Sequence, residues 1–297
     1  MGAAALGHRG AVTEPVALVT GATDGIGRAT ALALAARGAT VLVHGRDPDR
    51  ARAVVDALRA HGPVPDWAAK PCVADLARLD DVRALADQVA GRAPRLDVLV
   101  NNAGVALRGP ERRASADGFE LTMAVNHLAH FLLTTRLRPL LERRDAADGP
   151  PRVATVASEL HARGRIDWDD VAGQRAERYP GGTAAYAASK LANVLFARAL
   201  ARRADPARLV SHALHPGVIK TKLLRDGFGS RGGATPERGA ATSVHVALSA
   251  EAGRSTGGYW ADARPADAAP AALDDALGER LWAATEAFAA EGAPTAG

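Results

Sequence analysis

Tyr186 and Lys190 lie four residues apart in a segment whose pattern predicts a helix, so the phenol and the ammonium group share one helix face. A tyrosine hydroxyl ordinarily titrates near pH ~10, which is too high for a good acid or base at neutral pH. A positive charge beside the hydroxyl favours the phenolate and lowers its pKa. The phenol and the ammonium group can therefore point into the same cleft. Any helix can carry such a pair, and it is the pair together with the glycine-rich segment upstream that indicates a nucleotide-dependent redox enzyme.

A glycine-rich segment with the sequence TGATDGIG, residues 20–27, follows the first apolar run of the chain. Gly21, Gly25 and Gly27 would permit a tight turn and the close approach of a pyrophosphate. The helix predicted to follow would offer unpaired N–H groups and a positive dipole end to that anion. The Lys-Ser/Thr pair of a phosphate-transfer loop is absent, so the segment predicts a nucleotide cofactor and not phosphoryl transfer.

The end of the second predicted strand bears on the choice of cofactor. An acidic residue there would bind the adenosine ribose hydroxyls and repel a 2′-phosphate. Gly45 occupies that position, and Arg46, whose guanidinium is a natural partner for a phosphate monoester, follows it. NADP(H) is therefore favoured. NAD(H) stays the alternative, because Asp47 is adjacent and Asp24 lies in the glycine segment where a basic residue would have helped NADP(H).

Apolar, strand-like runs alternate with helical patterns, which predicts an α/β fold with a single doubly wound (Rossmann-type) domain and a parallel sheet flanked by helices. The strand candidates are 16–19, 40–43, 69–73, 96–101, 152–157 and 209–214. The main helical patterns are 26–37, 48–61, 115–141 and 183–204. The catalytic domain is expected over 14–291, between a flexible extension (1–13) and a loose tail (292–297), with a turn over 145–151.

Composition narrows the classes of function. Lys plus Arg exceed Asp plus Glu by only four and are spread along the chain, so no nucleic-acid partner is expected. Cys72 is the single cysteine and is read as a small buried hydrophobe, which fits a cytoplasmic protein. No run of 18 apolar residues predicts a membrane span. His127 and His130 are three apart but lack a third ligand at zinc-site spacing, so no metal is expected.

Several motifs occur in an order that resembles the classical short-chain dehydrogenase/reductase family: the glycine segment, Asn101-Asn102-Ala103-Gly104, Ser158, the Tyr186/Lys190 pair and His215-Pro216-Gly217. The match runs from about residue 16 to about residue 260. Within the family, the segments NHLAHF (126–131), SKLAN (189–193) and HPGV (215–218), and a closing helix with Leu281-Trp282, look most like the retinol dehydrogenase-like branch.

The resemblance implies a catalytic set of Asn126, Ser158, Tyr186 and Lys190. Tyr186 would give a proton to a carbonyl oxygen or take one from an alcohol, and Lys190 would lower the phenol pKa and hold the nicotinamide ribose. Ser158 would hydrogen-bond the substrate oxygen. Asn126 would hold a water that links Lys190 to solvent.

The resemblance also implies a cofactor site along the carboxyl edge of the sheet. Asp75 resembles the adenine-binding aspartate, Asn102 the residue beside the adenosine ribose, and Thr221 the threonine that meets the nicotinamide or its phosphate. The full set is Gly21, Thr23, Asp24, Gly25, Ile26, Gly27, Arg46, Asp75, Leu76, Asn102, Ala103, Gly104, Tyr186, Lys190, Pro216, Gly217, Val218 and Thr221.

The substrate pocket is expected under a roof formed by about 159–182 and 222–236. The roof includes the Gly-, Ser- and Arg-rich stretch 225–236, which is a mobile lid or an ordinary surface loop. Its apolar candidates are Trp168, Tyr179, Leu223, Leu224 and Phe228. These suggest a hydrophobic ketone, aldehyde or secondary alcohol as substrate, while specificity for retinoids does not follow from the resemblance.

The leading function is an NADP(H)-dependent oxidoreductase that transfers a hydride between the nicotinamide and such a substrate. Two alternatives are a family member that performs a non-redox or ring-modifying step with its cofactor retained, and a binding protein that senses cofactor occupancy. The resemblance further implies a homodimer or homotetramer formed through the two long helices.

Overall fold

Eight strands form one central sheet in the computed structural model, which describes residues 14–143 and 149–291. The strands are β1 (Val16–Val19), β2 (Thr40–Gly45), β3 (Cys72–Val73), β4 (Val98–Asn101), β5 (Arg152–Val156), β6 (Val210–His215), β7 (Tyr259–Ala261) and β8 (Arg264–Ala266). Their spatial order is β3-β2-β1-β4-β5-β6-β7-β8, and all pairs are parallel except β7 with β8. The predictions for 1–13, 292–297 and most of the turn 145–151 concern residues outside the described ranges.

The central strands are apolar because helices cover both faces of the sheet. β1 and β4 are buried throughout and have the sequences VALV and VLVN. Val19 is in register with Val43 of β2 and with Val100 of β4, so the carboxyl ends of these strands lie side by side. The strand order reverses at β1, which is where an open α/β sheet forms its binding crevice.

Eleven helices lie in the described ranges: α1 (Gly25–Ala35), α2 (Pro48–Leu58), α3 (Asp66–Ala69), α4 (Leu79–Arg92), α5 (Leu121–Met123), α6 (Ala129–Leu141), α7 (Gly182–Arg202), α8 (Lys222–Phe228), α9 (Pro236–Leu248), α10 (Pro270–Leu273) and α11 (Asp275–Glu291). One apolar cluster joins α1, α2 and α9 to the sheet, and a second joins α4, α6, α7 and α11 to the opposite face. None of these helices combines the length and apolarity that crossing a membrane would require.

The predicted element bounds need three corrections. The strand predicted from residue 69 begins at Cys72, because Asp66–Ala69 is helical. The helix predicted from residue 115 begins at Leu121, since the preceding residues form a turn with Gly118 at a φ of 79°. Part of the stretch 225–236 belongs to α8, which ends where Gly229 adopts a left-handed conformation.

Several elements were not predicted from the sequence, among them α4, α9, β7 and β8. Helix α9 has a recognisable start, because Thr235 caps it and Pro236 occupies its first turn. Strands β7 and β8 are only three residues long, and β8 contains Pro265. Runs this short carry little periodicity, so pattern reasoning does not detect them.

Helix α11 covers the outer side of α6 and α7. The ring centroid of Trp282 lies 4.8 Å from that of Phe131 and 6.0 Å from that of Phe196. Glu279 accepts hydrogen bonds from Arg202, the last residue of α7, and from Arg203, which follows it. The two long helices through which an oligomer was expected are therefore packed against a third helix of the same chain.

Replacing Trp282 with alanine is expected to lower the free energy of unfolding by about 3–5 kcal/mol, because it leaves a cavity against Phe131 and Phe196. Urea denaturation followed by circular dichroism would measure the change. Trp168→Ala is the matched control: Trp168 is only partly buried at the edge of the same cluster, so its loss should be smaller. An equal or smaller loss for Trp282→Ala would contradict this account of α11.

Candidate active site

The glycine segment forms a tight turn between β1 and α1. Gly21 and Gly25 have φ angles of 64° and 50°, which favour glycine. A Cβ on Gly27 would lie 2.2 Å from the Gly21 carbonyl oxygen. The amide of Gly21 donates to His44 Nδ1 at 3.1 Å, which ties the turn to β2. Only glycines allow the chain to approach itself this closely.

The same turn is fixed to the end of β4. The amides of Asn102 and Ala103 donate to Thr20 Oγ1 at 2.9 and 3.0 Å, and Asn102 Nδ2 donates to the Thr20 carbonyl at 2.7 Å. A Cβ on Gly21 would come within 2.9 Å of the Ala103 Cα. The ends of β1 and β4 therefore form one rigid unit.

This unit fits a dinucleotide cofactor. Gly21 and Gly27 let the turn pack against Ala103, Asn102 and itself, and the amino end of α1 that follows offers backbone N–H groups and a helix dipole that favour an anion. Further along the sheet edge, a Cβ on Gly104 would sit 3.3 Å from Asn126 Oδ1 and 3.8 Å from Lys190 Nζ. Gly104 thus lies beside the predicted catalytic residues Asn126 and Lys190. Ile26, beside the turn, is half-buried.

Other predicted cofactor residues differ in how accessible they are. Asp75 is half-buried, and its Oδ1 accepts the Ala77 amide at 3.0 Å. Leu76 is 3% exposed and packs in the core, so its side chain is not free to contact a cofactor. Thr221 caps α8 by accepting the Leu224 amide, and its methyl group lies against Gly25.

The connection after β6 holds the remaining predicted cofactor residues. Pro216 and Gly217 are half-buried, and Gly217 has a φ of 89°. Val218 is 51% exposed, and it is the most exposed of the three large apolar side chains that face solvent in the described residues. The structure therefore brings this connection to the same edge of the sheet as the glycine turn.

The end of β2 shows why no acid stands at position 45. A Cβ on Gly45 would lie 2.3 Å from the methyl group of Thr23, so any side chain there requires Thr23 to move. Arg46 is exposed. The Asp47 carboxylate accepts the amides of Asp49 and Arg50 at the start of α2. Asp47 is therefore used as a helix cap, which weakens the argument that it would bind ribose hydroxyls.

Asp24 has two partners in the structure. It caps α1 by accepting the Gly25 amide at 2.7 Å, and it pairs with Arg50 Nη2 at 3.0 Å. The hydrogen bond to Arg50 and that from Gly25 together lower the pKa of Asp24, although burial opposes them as the largest single effect. Arg50 thus partly neutralises the negative charge of Asp24 at the start of α1.

Three of the four predicted catalytic residues meet where β5 faces α7. Lys190 Nζ donates to the Val156 carbonyl at 2.8 Å and lies 5.4 Å from the ring centroid of Tyr186. Ser158 follows β5; its hydroxyl accepts the Leu160 amide at 3.2 Å and acts to lower the pKa of Tyr186. All three side chains are at least nine-tenths buried.

Asn126 completes the set from a π-helical turn, Ala124–Leu128, which joins α5 to α6. Such turns occur frequently at functional sites. Asn126 Oδ1 accepts the Val105 amide at 2.8 Å, while Nδ2 donates to the Val105 carbonyl and to Ser189 Oγ, both at 3.0 Å. Its amide group therefore anchors the loop after β4, and the water-holding role stays a prediction.

Burial dominates the electrostatics of the tyrosine–lysine pair. It raises the pKa of Tyr186 to about 12, against a smaller lowering by the Ser158 hydrogen bond. It lowers the pKa of Lys190 to about 7. Among the described residues, Ser158 is the only group that lowers the pKa of Tyr186, and burial outweighs it, so the lowering of the phenol pKa by Lys190 stays a prediction. Tyr186 keeps its proton at neutral pH, as a proton donor must.

The short helix α8 lies over the site. The ring centroid of Phe228 is 5.3 Å from that of Tyr186 in an edge-to-face contact. Leu223 Cδ1 lies 3.6 Å from the position of a Cβ on Gly104. These two residues of the predicted apolar roof are therefore brought to the site.

Two other roof candidates lie elsewhere. Trp168 packs beneath the guanidinium of Arg280 on α11, with 4.7 Å between the ring centroid and Cζ. Tyr179 lies within the electrostatic influence of Glu120 and Arg112, and burial raises its pKa. Trp168 thus braces α11, and sequence alone could not assign these aromatic side chains to one surface or another.

The side chains that commonly bind metals do not cluster in the part of the chain that the structure describes. In the ranges 14–143 and 149–291, no three His, Cys, Asp or Glu side chains converge on a point. His127 Nε2 lies 3.1 Å from Thr285 Oγ1, and His212 Nε2 lies 3.0 Å from the Ala252 carbonyl. Cys72 is buried beside Arg92, and burial raises the pKa of its thiol to about 11.

Lys190→Met is expected to flatten the pH dependence of stability between pH 7 and about pH 10 in the cofactor-free protein. Folded Lys190 loses its proton near pH 7, whereas its ordinary pKa is 10.5. Between these values the unfolded chain binds more protons, so stability rises with pH, by at most about 1.4 kcal/mol per pH unit. Urea denaturation across this range would measure the slope.

The matched control is Lys220→Met, because Lys220 is exposed. It should retain the slope of the wild-type protein. A slope that survives in Lys190→Met would show that burial of this ammonium group is not the cause.

Comparison with known proteins extends these observations to a family. The model of the short chain dehydrogenase family matches residues 15–168. Retinol dehydrogenase 14 of Mus musculus is 37% identical over 300 residues, covering 94% of this chain and 87% of its own length. A Streptomyces sp. (strain C5) protein named "Putative daunorubicin C-13 ketoreductase DnrU" is 40% identical over 280 residues, covering 91% of each chain.

Solved structures agree with the sequence relatives. The Pseudomonas aeruginosa RhlG/NADP active-site complex has a TM-score of 0.67 at 26% identity, over 83% of this chain and 94% of that one. A 3-ketoacyl-(acyl-carrier-protein) reductase from Brucella melitensis, complexed with NADH, has a TM-score of 0.66 at 26% identity, over 84% and 97%. The chain belongs to the short-chain dehydrogenase/reductase family, in its retinol dehydrogenase-like branch, and is an NAD(P)-dependent oxidoreductase.

Proposed function

We propose that this protein is an NADP(H)-dependent carbonyl reductase or alcohol dehydrogenase that acts on hydrophobic ketones, aldehydes or secondary alcohols, with Tyr186 as the acid/base. The observation that carries the proposal is the convergence of Tyr186, Ser158 and Lys190 at the carboxyl edge of the sheet, on the same edge as the glycine turn between β1 and α1. Relatives named as dehydrogenases and a ketoreductase support the same class of reaction.

Each residue would have a distinct role in carbonyl reduction. A bound nicotinamide would supply the hydride to the carbonyl carbon. Tyr186, protonated at neutral pH, would donate its phenolic proton to the carbonyl oxygen, while the Ser158 hydroxyl would hydrogen-bond that oxygen as its charge develops. Lys190 would recharge beside the resulting phenolate, because a negative neighbour raises an amine pKa again. Alcohol oxidation would use the same groups in reverse.

The preference for NADP(H) rests on the end of β2. Gly45 leaves no room for an acid, and Asp47 is occupied as a helix cap. Arg46 makes no ion pair with any residue in the part of the chain that the structure describes, so its guanidinium is available to a 2′-phosphate. The solved neighbours include complexes with NADP and with NADH, so only Gly45, Arg46 and Asp47 bear on the preference for NADP(H).

The proposed substrate class follows from what covers Tyr186. The Phe228 ring contacts the Tyr186 phenol edge to face, and the Leu223 Cδ1 methyl group lies beside Gly104. A substrate that reaches the Tyr186 hydroxyl must contact or displace Phe228. An apolar group next to the reacting carbon would replace this contact without exposing Phe228 to water, whereas a charged group would be desolvated there.

Tyr186→Phe is expected to lower kcat for carbonyl reduction by about 10²–10⁴-fold, because it removes the proton donor while keeping the ring. The rate would be followed by nicotinamide absorbance over a panel of hydrophobic ketones and aldehydes. Tyr179→Phe is the matched control, since Tyr179 also carries a buried hydroxyl but lies away from the site. Full activity of Tyr186→Phe would refute the assigned role.

Arg46→Ala is expected to weaken binding of 2′,5′-ADP by about tenfold or more, as expected when a hydrogen bond to a charged group is lost. Binding of 5′-AMP should stay unchanged, because it lacks the 2′-phosphate. Calorimetric titration would compare both ligands. Arg59→Ala, an exposed arginine at the far end of α2, should change neither. Equal weakening of both ligands would contradict the proposed role of Arg46.

Several further predictions stay open in the same proposal. The cytoplasmic location and the homodimer or homotetramer stay predictions. Self-association, where it occurs, is expected on surfaces other than the α6–α7 face, because α11 covers that face. A non-redox step with retained cofactor would show as substrate conversion without net nicotinamide oxidation.

A further inference from the structure

One buried histidine on α6 bridges the cofactor end and the catalytic end of the site. His130 is 1% exposed. Its Nε2 lies 2.9 Å from Thr20 Oγ1, at the start of the glycine turn. Its Nδ1 lies 3.0 Å from the carbonyl oxygen of Asn126. The two edges of a single imidazole ring therefore touch the two halves of the active site.

The surrounding donors fix the protons of this ring. Thr20 Oγ1 already accepts the amides of Asn102 and Ala103, so both of its lone pairs are used. Its hydroxyl proton is then donated, and the His130 Nε2 at 2.9 Å is nearer than the Val100 carbonyl at 3.3 Å. Nε2 is consequently the unprotonated nitrogen, and Nδ1–H donates to Asn126.

Burial keeps the ring in this neutral form. Desolvation lowers the pKa of His130 to about 3; the hydrogen bond to the Asn126 carbonyl opposes the shift, and the nearby Lys190 adds to it. The ring is therefore neutral at neutral pH, and the hydrogen-bond direction runs from Thr20 through the ring to the backbone carbonyl of Asn126.

The chain of hydrogen bonds continues to the catalytic tyrosine. Asn126 Nδ2 donates to Ser189 Oγ at 3.0 Å, and Ser189 Oγ donates to the Tyr186 carbonyl at 2.8 Å. Thr20, His130, Asn126, Ser189 and the backbone of Tyr186 are thus connected, with Asn126 as the covalent link: His130 bonds its backbone carbonyl, and Ser189 bonds its side-chain amide. Every side chain in the network is buried.

We propose that His130 is a positioning residue with two separable functions: its Nε2 edge holds the glycine turn for the cofactor, and its Nδ1 edge holds Asn126 and, through it, the catalytic helix. This inference rests on the proposed oxidoreductase function. His130 touches neither cofactor nor substrate, so its effects must pass through Thr20 on one side and Asn126 on the other.

Two substitutions separate the edges. In His130→Asn the amide nitrogen can replace Nδ1–H, so the bond to Asn126 is kept and the bond to Thr20 is lost. In His130→Gln the amide oxygen can replace Nε2, so the bond from Thr20 is kept and the bond to Asn126 is lost.

We expect His130→Asn to raise the NADPH Kd about tenfold with kcat within about twofold of wild type, as for one lost buried hydrogen bond. We expect the opposite split for His130→Gln.

His127 provides the matched control. It lies three residues earlier, is also 1% exposed, and bonds Thr285 of α11 instead of the active site. His127→Asn and His127→Gln should lower Tm without separating Kd from kcat. NADPH fluorescence titration and steady-state rates would be measured for all four variants. The same pattern for His130 and His127 variants, or equal changes in Kd and kcat for both His130 variants, would overturn the proposal.

Two further outcomes remain decisive. If the His130 variants do not fold, nitrogen-15 NMR of the wild-type His130 imidazole tests the same bonds: an unprotonated Nε2 and a protonated Nδ1 are expected, and the Nε2 resonance should shift when NADPH binds. A protonated Nε2, or no shift on binding, would overturn the proposal. If the wild-type protein binds NADPH but reduces no carbonyl, the proposed function fails. The Kd comparison between His130→Asn and His127→Asn would still decide whether His130 holds the cofactor turn.

Discussion

Of the 21 residues in α7, 17 are buried, and this near-complete burial is the constraint on which the active site depends. The inner side of the helix packs on the sheet and on the π-helical turn, and its outer side packs under α11. Lys190 is therefore held in a place where its charge is costly, and its amine donates a hydrogen bond to the Val156 carbonyl. The same desolvation keeps the Tyr186 phenol protonated. The chemistry of the pair thus comes from packing as much as from the identity of the two residues.

The parts of the fold that could be predicted from the sequence are those with long periodic patterns. The strands beginning at Val16 and Thr40 and the helix around Tyr186 were predicted correctly within a few residues, because apolar runs and helical spacing extend over enough positions to be distinctive. β7 and β8 were missed because three residues contain no period. The catalytic motifs were recognisable as a set, whereas the roof was not: whether Trp168 faces the substrate or α11 depends on tertiary packing that no local pattern encodes.

The sequence also could not give the sign of the electrostatic effect at the centre of the site. Four-residue spacing correctly places Tyr186 and Lys190 on one face, with 5.4 Å between amine and ring. The net shift of the phenol pKa depends on how much water is excluded, and that is decided by α8 above and β5 below. In the same way, Gly45 could be noticed as a missing acid, but its reason, the methyl group of Thr23, is visible only in three dimensions. Local sequence identifies the groups, and packing sets their charge states.

The last strand, β8, forms one edge of the sheet, and its composition affects how that edge can pair with other molecules. β8 runs antiparallel to β7, is three residues long and contains Pro265, which has no N–H to offer a neighbour. At the opposite margin, β3 has only two residues. Long, flat strand edges are templates for intermolecular pairing, and both margins of this sheet are too short or too interrupted to serve as one. The eight-stranded sheet is thereby protected against edge-to-edge aggregation at high protein concentration.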